Sequence, residues 1–247
     1  MLLNYQPIVD VRTRVVVKAE ALCRFPGSPP GLDSPDGFIP YAEQNGLIGG
    51  LTAWLFSTAF EYWARLGSAA PELTLNLSVQ NLSEPDLAER MLGAADRHKI
   101  KPSRLWIELD ERLFDVHDQA SHATLARLTK AGVRLCLDGL GPGLSPVTHL
   151  QLADIPVREL KLDRLVTSGI ETDPEQRAKI AGIADIARHL SLELAAKGVE
   201  DASLLGPLAR AGFTRAQGIA IAPPLDPDAF SAYLQKVWSP SGASLPA

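Results

Sequence analysis

Four residues able to hold a hard cation, Glu20, Asn76, Glu108 and Asp138, each stand near the end of an apolar, strand-like run. Oxygen donors of this kind suit Mg²⁺ or Mn²⁺. Delivered one per strand end from segments far apart in the chain, they describe a metal site on one rim of a barrel. A full constellation of this kind would make a hydrolase, whose metal-bound water attacks the substrate. Arg24 follows Glu20 by four residues and adds a guanidinium. Leu160-Lys161-Leu162-Asp163 adds an ammonium and an acid, and Ile107-Glu108-Leu109-Asp110-Glu111 a run of acids. The set is damaged at one place: Gly139 follows Asp138, and the most acid-like later strand end reads Ala195-Ala196-Lys197. Singly, each of these residues reads most simply as a loop anchor, a helix cap or a solvated charge. Their combination carries the reading.

The elements that must position these residues alternate. Strands are predicted over Leu3–Ile8, Val15–Leu22, Leu73–Ser78, Leu105–Asp110, Val133–Asp138, Val157–Leu162, Leu192–Ala196 and Arg215–Ala220. Helices are predicted over Phe38–Asn45, Leu51–Leu66, Pro85–His98, Ser121–Ala131, Pro174–Leu190, Ala202–Ala211 and Asp226–Val237. Val133, Leu135 and Leu137 fall on one strand face, and Arg134, Cys136 and Asp138 on the other. Ile180, Ile183, Ile186 and Ala187 form one helical stripe. Repeated strand–helix units in a chain of 247 residues predict an α/β parallel barrel rather than an open sheet. The opening strand pair, joined by the turn Asp10–Thr13, departs from strict strand–helix order.

Net charge is −5, and the absence of a Lys/Arg run argues against a nucleic acid polymer as partner. No apolar run reaches the ~18 residues of a membrane span, and Met1-Leu2-Leu3-Asn4 lacks the basic start of a signal peptide. Cys23 and Cys136, the two cysteines, have no metal-type spacing and read as buried thiols of a reducing compartment, so the chain is expected in the cytoplasm. The five histidines show no ligand spacing. Glu43 reads as a helix-face charge, and Asp110 and Asp163 as caps.

In order, spacing and surrounding residues the chain closely resembles the EAL domain family, which hydrolyses cyclic di-GMP to linear pGpG. The resemblance runs from Tyr5-Gln6-Pro7-Ile8 to Pro224-Leu225. It includes Glu20-Ala21-Leu22 with Arg24, Phe38-Ile39-Pro40-Tyr41-Ala42-Glu43, Asn76-Leu77-Ser78, Glu108 with Glu111, Asp138, Lys161 with Asp163, Gly198-Val199-Glu200, and Gln217-Gly218. It implies a modified triosephosphate-isomerase-type (β/α)8 barrel with one antiparallel strand, in a domain over 1–238 followed by a flexible tail over 239–247. It implies that Glu20, Asn76, Glu108 and Asp138 hold a first Mg²⁺ or Mn²⁺. Lys161 would be catalytic, and Glu111 would support it by bracing the loop after Asp138. Glu20, Leu22, Arg24, Asp138, Glu200 and Gln217 would bind the ligand.

Two departures from the family fall on the second cation. Active members read Asp-Asp-Phe-Gly where this chain reads Asp138-Gly139-Leu140-Gly141, and Ala-Glu-Gly-Val-Glu where it reads Ala196-Lys197-Gly198-Val199-Glu200. A dication about 4 Å from an ammonium meets repulsion of roughly 8 kcal/mol at an effective dielectric near 20, before solvent reduces it. Lys197 is therefore expected to replace the second metal and to pair with Asp138. The following loop is Gly141-Pro142-Gly143-Leu144-Ser145-Pro146, and Ile219-Ala220-Ile221 replaces the family's usual aromatics after Gln217-Gly218. The expected function is a degenerate, catalytically impaired cyclic di-GMP receptor. The alternatives are a weak metal-dependent phosphodiesterase and a protein-interaction module without nucleotide. A homodimer and an upstream sensor or GGDEF domain are the expected protein partners.

Overall fold

Alternating strands close into a barrel because one set of faces has a polar interior to share and the other an apolar face to bury against helices. In the computed structural model, which describes residues 1–29, 31–32, 34–115, 118–140 and 156–237, eight strands form a closed barrel in chain order. They are β1 (Leu2–Asp10), β2 (Val16–Arg24), β3 (Glu72–Asn76), β4 (Leu105–Leu109), β5 (Arg134–Leu140), β6 (Val157–Leu162), β7 (Glu193–Ala196) and β8 (Arg215–Ala216). Strand β1 runs antiparallel to both neighbours, β2 and β8, while the remaining neighbours are parallel. The irregular opening pair in the sequence is thus the one antiparallel strand of a triosephosphate-isomerase-type barrel. The helices are α1 (Pro35–Gln44), α2 (Ile48–Leu66), α3 (Leu87–Arg97), α4 (Gln119–Lys130), α5 (Arg164–Thr167), α6 (Pro174–His189), α7 (Leu205–Arg210) and α8 (Pro227–Val237). No helix of the described residues is long and apolar enough to cross a membrane.

Strand residues such as Leu73, Leu75, Ile107, Leu135, Leu137 and Leu160 are fully buried in the main apolar core. Their sequence neighbours point to the opposite face, into the barrel. There the filling is ionic. Lys18 on β2 donates to Glu159 on β6 at 2.5 Å, and both side chains have no exposed surface. Strands β2 and β6 are not neighbours, so this pair spans the barrel axis. Arg215 on β8 also donates to Glu159. Trp106 lies under the Lys18 ammonium, 3.9 Å from its ring centroid, with the Arg134 and Arg215 guanidiniums at 5.2 and 5.0 Å. Burial alone would raise the Glu159 carboxyl, but Lys18 and Arg215 more than reverse this and hold it at about 2.

Several predicted boundaries differ: β2 runs on to Arg24, so Glu20 lies inside it, and α2 starts at Ile48. The eighth strand, expected to Ala220, ends at Ala216. Gly218 passes so close to Val199 that an added Cβ would stand 2.0 Å from the Val199 carbonyl oxygen, and the chain turns there. The helix expected over Ala202–Ala211 is a 3-10 turn, Ala202–Leu204, followed by α7. Helix α1 starts three residues before Phe38, because Pro35 supplies a favourable first helical position. The expected flexible tail and the loop 141–146 lie outside the described residues.

Candidate functional site

The parallel strands point their C-terminal ends to one rim, and a cleft of about 850 Å³ opens there. Glu20, Leu22, Arg24, Asn76, Glu108, Asp138, Lys197 and Gln217 all line it, from six strands or the residues just beyond them. Ser34, Pro35, Ile39 and Pro40, at the start and on the body of α1, form one of its walls.

Lys161 is the centre of the arrangement. Its ammonium is 1% exposed and donates to Glu20 Oε2 and to both Glu108 oxygens, each at 2.8 Å. Asn76 Nδ2 donates to Glu20 Oε1 at 2.7 Å, and Gln217 Nε2 to Glu20 Oε2 at 2.8 Å. Glu20 therefore receives three different side chains. Burial would raise its carboxyl, but Lys161 and then Lys197 hold it below the ordinary range. Glu108 goes the other way: burial and the Glu20 carboxylate push it up against the pull of Lys161. Lys161 itself stays protonated far above its usual range, because Glu108, Glu20 and Asp138 overcome the cost of its burial.

Beside this cluster, Lys197 Nζ donates to Asp138 Oδ2 at 2.8 Å. This is the pairing expected from the residue types. Burial would lower the Lys197 ammonium, but Asp138 raises it above its ordinary value. Asp138 Oδ1 is buried and has no hydrogen-bond partner among the described residues. The backbone around Asp138 is also irregular. The β5–β6 register shifts between Leu137 and Leu140, and Gly139 sits at φ +75°, a conformation that disfavours most side chains.

Three oxygen-bearing acids and an amide at neighbouring strand ends fit a first divalent cation chemically, and the free Asp138 oxygen is one open acceptor. Glu20, Asn76, Glu108 and Asp138 would hold it, once Lys161 gave up part of its contacts. Among the described residues no three His, Cys, Asp or Glu side chains stand ready with metal-holding geometry, since the Lys161 ammonium occupies the point where the carboxylates converge. At the two positions where the resemblance expects ligands of a second cation, Gly139 offers no side chain and Lys197 offers an ammonium.

Other expected residues fall outside the cleft. Glu200 pairs with Arg164 in a half-exposed ion pair beyond β7. Glu111 is exposed in the turn Glu111–Asp115, and the segment it was expected to brace falls within 141–155, outside the described residues. Asp163 caps α5 by accepting from Leu165 N. Glu43 is not a solvated helix-face charge: its side chain is 6% exposed and binds Ser78 and Arg112. Gln6 was missed as a site residue. It lines the cleft, and its Oε1 accepts from Gln217 Nε2 at 3.0 Å. A polar residue between the buried Tyr5 and the apolar Pro7-Ile8 run was the available signal.

A family model described as the EAL domain matches residues 1–224. The chain is 31% identical over 247 residues to a probable cyclic di-GMP phosphodiesterase, PdeI, of Escherichia coli K12, covering 98% of this chain and 30% of that protein. It is 30% identical over 228 residues to MucR of Pseudomonas aeruginosa, described as a bifunctional diguanylate cyclase/cyclic di-GMP phosphodiesterase, covering 91% and 33%. The chain thus spans about a third of the length of these curated relatives. A solved structure of the PaMucR phosphodiesterase in complex with c-di-GMP superposes with a TM-score of 0.79 at 30% identity, covering 91% of this chain and 92% of that one.

Proposed function

The chain belongs to the EAL domain family, and from that premise we propose that it binds cyclic di-GMP at the barrel mouth while hydrolysing it poorly or not at all. It would then act as a receptor or regulatory domain in bacterial second-messenger signalling, within a longer protein that carries sensor or GGDEF domains. One observation carries this reading: the Lys197 ammonium donates to Asp138 at 2.8 Å, and the resemblance expects a ligand of the second cation at position 197. A divalent cation bound there would help to activate the attacking water and neutralise the phosphoryl oxygens. Lys197 supplies a positive charge without an open coordination position, so it can attract a phosphate but cannot generate a hydroxide.

The remaining residues support binding. Arg24 lines the cleft, and its one hydrogen bond among the described residues goes to the neighbouring Cys23 carbonyl, leaving most of its donors for a phosphate. Gln217 is held by Glu20 and Gln6 on the cleft wall. A cleft of about 850 Å³ is within the range of small-molecule sites. Two diester phosphates would meet two cations of the chain itself, Arg24 and Lys197.

Calorimetry with cyclic di-GMP, with and without a chelator, together with chromatography of pGpG, tests this. Binding is expected to survive the chelator, and pGpG is expected to stay near background with Mn²⁺ or Mg²⁺. Arg24→Ala should weaken binding by roughly 10- to 150-fold, the loss of charge-assisted bonds worth about 1.5–3 kcal/mol. Slow but metal-dependent turnover above background would instead favour a weak phosphodiesterase working with one cation or a rearranged pair, whose support is the Asp138 Oδ1 left without a partner among the described residues, and fast turnover would overturn the receptor reading. No binding at millimolar nucleotide would favour an interaction module, to which the 61% exposed Ile219 beside Gln217 would contribute.

A further inference from the structure

Helix α1 walls the cleft but does not belong to the main core. Phe38 and Ala42 from α1 pack with Ile48 and Leu51 from α2 in a small apolar cluster of their own. The outer surface of the helix is open, with Tyr41 half exposed. Pro40 lies inside the helix and removes one of its backbone hydrogen bonds. A segment with so few buried apolar contacts can detach at far less cost than the barrel can unfold.

Among the described residues, one carboxylate makes the side-chain polar tie between α1 and the barrel rim. Glu43 Oε1 accepts from Ser78 Oγ at 2.6 Å and from Arg112 Nη2 at 3.0 Å, and Glu43 Oε2 accepts from Arg112 Nη1 at 2.9 Å. Ser78 stands two residues beyond Asn76 at the end of β3, and Arg112 follows β4. Asp110 completes the set by accepting from the Arg112 guanidinium. Glu43 thus joins α1 to the rim at the ends of β3 and β4, which carry the candidate metal ligands Asn76 and Glu108. With Pro35, Ile39 and Pro40 on the cleft side, release of Glu43 would open the mouth from one side.

We propose that α1 is a lid over the barrel mouth and that Glu43, through Ser78 and Arg112, is its latch. Nucleotide then enters and leaves when this carboxylate lets go. The identity of the ligand rests on the reading given above; the opening is a property of the free protein.

The two cysteines supply the test. Cys23 lines the cleft and packs against the α1 cluster, and burial pushes its thiol up to about 11. Cys136 is 1% exposed on β5. Labelling of the nucleotide-free protein with a dithiobis(nitrobenzoate) reagent reads each thiol separately after peptide mapping. Glu43→Gln keeps the side-chain shape but loses the charge that grips Arg112. It is expected to speed Cys23 labelling about tenfold, as loss of a charge-assisted bond would, and to leave Cys136 unchanged. Arg112→Gln, a change on the exposed side of the latch, should do the same and serves if the first variant folds poorly. Unchanged labelling of Cys23 in a folded variant would overturn the proposal, as would equal acceleration of both thiols, which would mean global loosening. Stopped-flow binding of cyclic di-GMP is the second arm, where Glu43→Gln should raise association and dissociation rates together. If wild-type protein binds no cyclic di-GMP while Cys23 still responds, the lid stands and the nucleotide reading falls.

Discussion

The double change Gly139→Asp with Lys197→Glu is expected to create a second cation site and to raise hydrolysis of cyclic di-GMP well above that of the unaltered chain. The change in formal charge is −1 at Gly139 and −2 at Lys197, or −3 in all, at a point facing Asp138. It removes the repulsion between an ammonium and a dication, roughly 8 kcal/mol at 4 Å and an effective dielectric near 20. Lys197 is 39% exposed, so solvent screening leaves only a fraction of that figure. The change also frees Asp138 Oδ2, which Lys197 now occupies. Among the described residues, an added Cβ at Gly139 would meet no atom within 4 Å. The obstacle is the backbone at φ +75°. Aspartate tolerates this region better than most residues, at a cost of about 1–2 kcal/mol. Lys197→Glu alone should relieve repulsion without completing the ligand set, so the double variant should exceed either single one. Calorimetric titration with Mn²⁺ and chromatography of pGpG read both effects. A double variant that is folded, yet gains neither metal affinity nor turnover, would show that the defect lies elsewhere.

Glu159→Gln is expected to be the most damaging single substitution in the barrel. It leaves the ammonium of Lys18, which is wholly buried, without its carboxylate, and takes one of two acids from Arg215. Breaking a buried pair from one side costs about 3–5 kcal/mol, because the remaining charge has no water to return to. For a chain of this size each kcal/mol moves Tm by about 2–4 °C, so a fall of roughly 10 °C should appear in a thermal scan. The joint change Lys18→Met with Glu159→Gln should recover part of the loss, since the orphan ammonium is gone. Acid should mimic the single substitution. The Glu159 carboxyl is lowered from 4.5 to about 2 on folding. Its stabilisation is therefore fully present above the ordinary value, and it is lost as pH falls through that value towards 2. Glu159→Gln should flatten this part of the pH–stability curve. An unchanged Tm would remove the ionic core from the account of the fold.

Much of this architecture was legible in the amino-acid order because it rests on local periodicities. Alternation along β5 separates Leu135 and Leu137 from Cys136 and Asp138 whatever the rest of the chain does. The helical stripe of α6 is equally local, as is the capping of α5 by Asp163. Placement of Asn76, Glu108, Lys161 and Lys197 at or beside strand ends followed from the same periodicities, whereas Glu20 and Asp138 lie inside β2 and β5, which run further than expected; the order of motifs pointed to the family. Even the Lys197–Asp138 pair was foreseeable from charge, since a cation replacing an acid in an acidic rim has one natural partner.

Tertiary structure decided what depends on barrel closure and backbone geometry. Lys18 meets Glu159 across the barrel axis only because β2 and β6 are brought face to face by the whole ring of strands. Sequence separation of 141 residues carries no local signal for that contact. The same closure places the Lys161 ammonium among three carboxylate oxygens and splits Glu20 from Glu108 in proton affinity. Glu43 looked like a surface charge because a short amphipathic helix does not announce which strand ends will lie beneath it. The positive φ of Gly139 is likewise invisible in a list of residues. The chain by itself determined which chemical groups reach the rim, because side-chain direction alternates locally. Only the closed barrel determined which of those groups neutralise one another, because Coulombic pairing depends on distance in space.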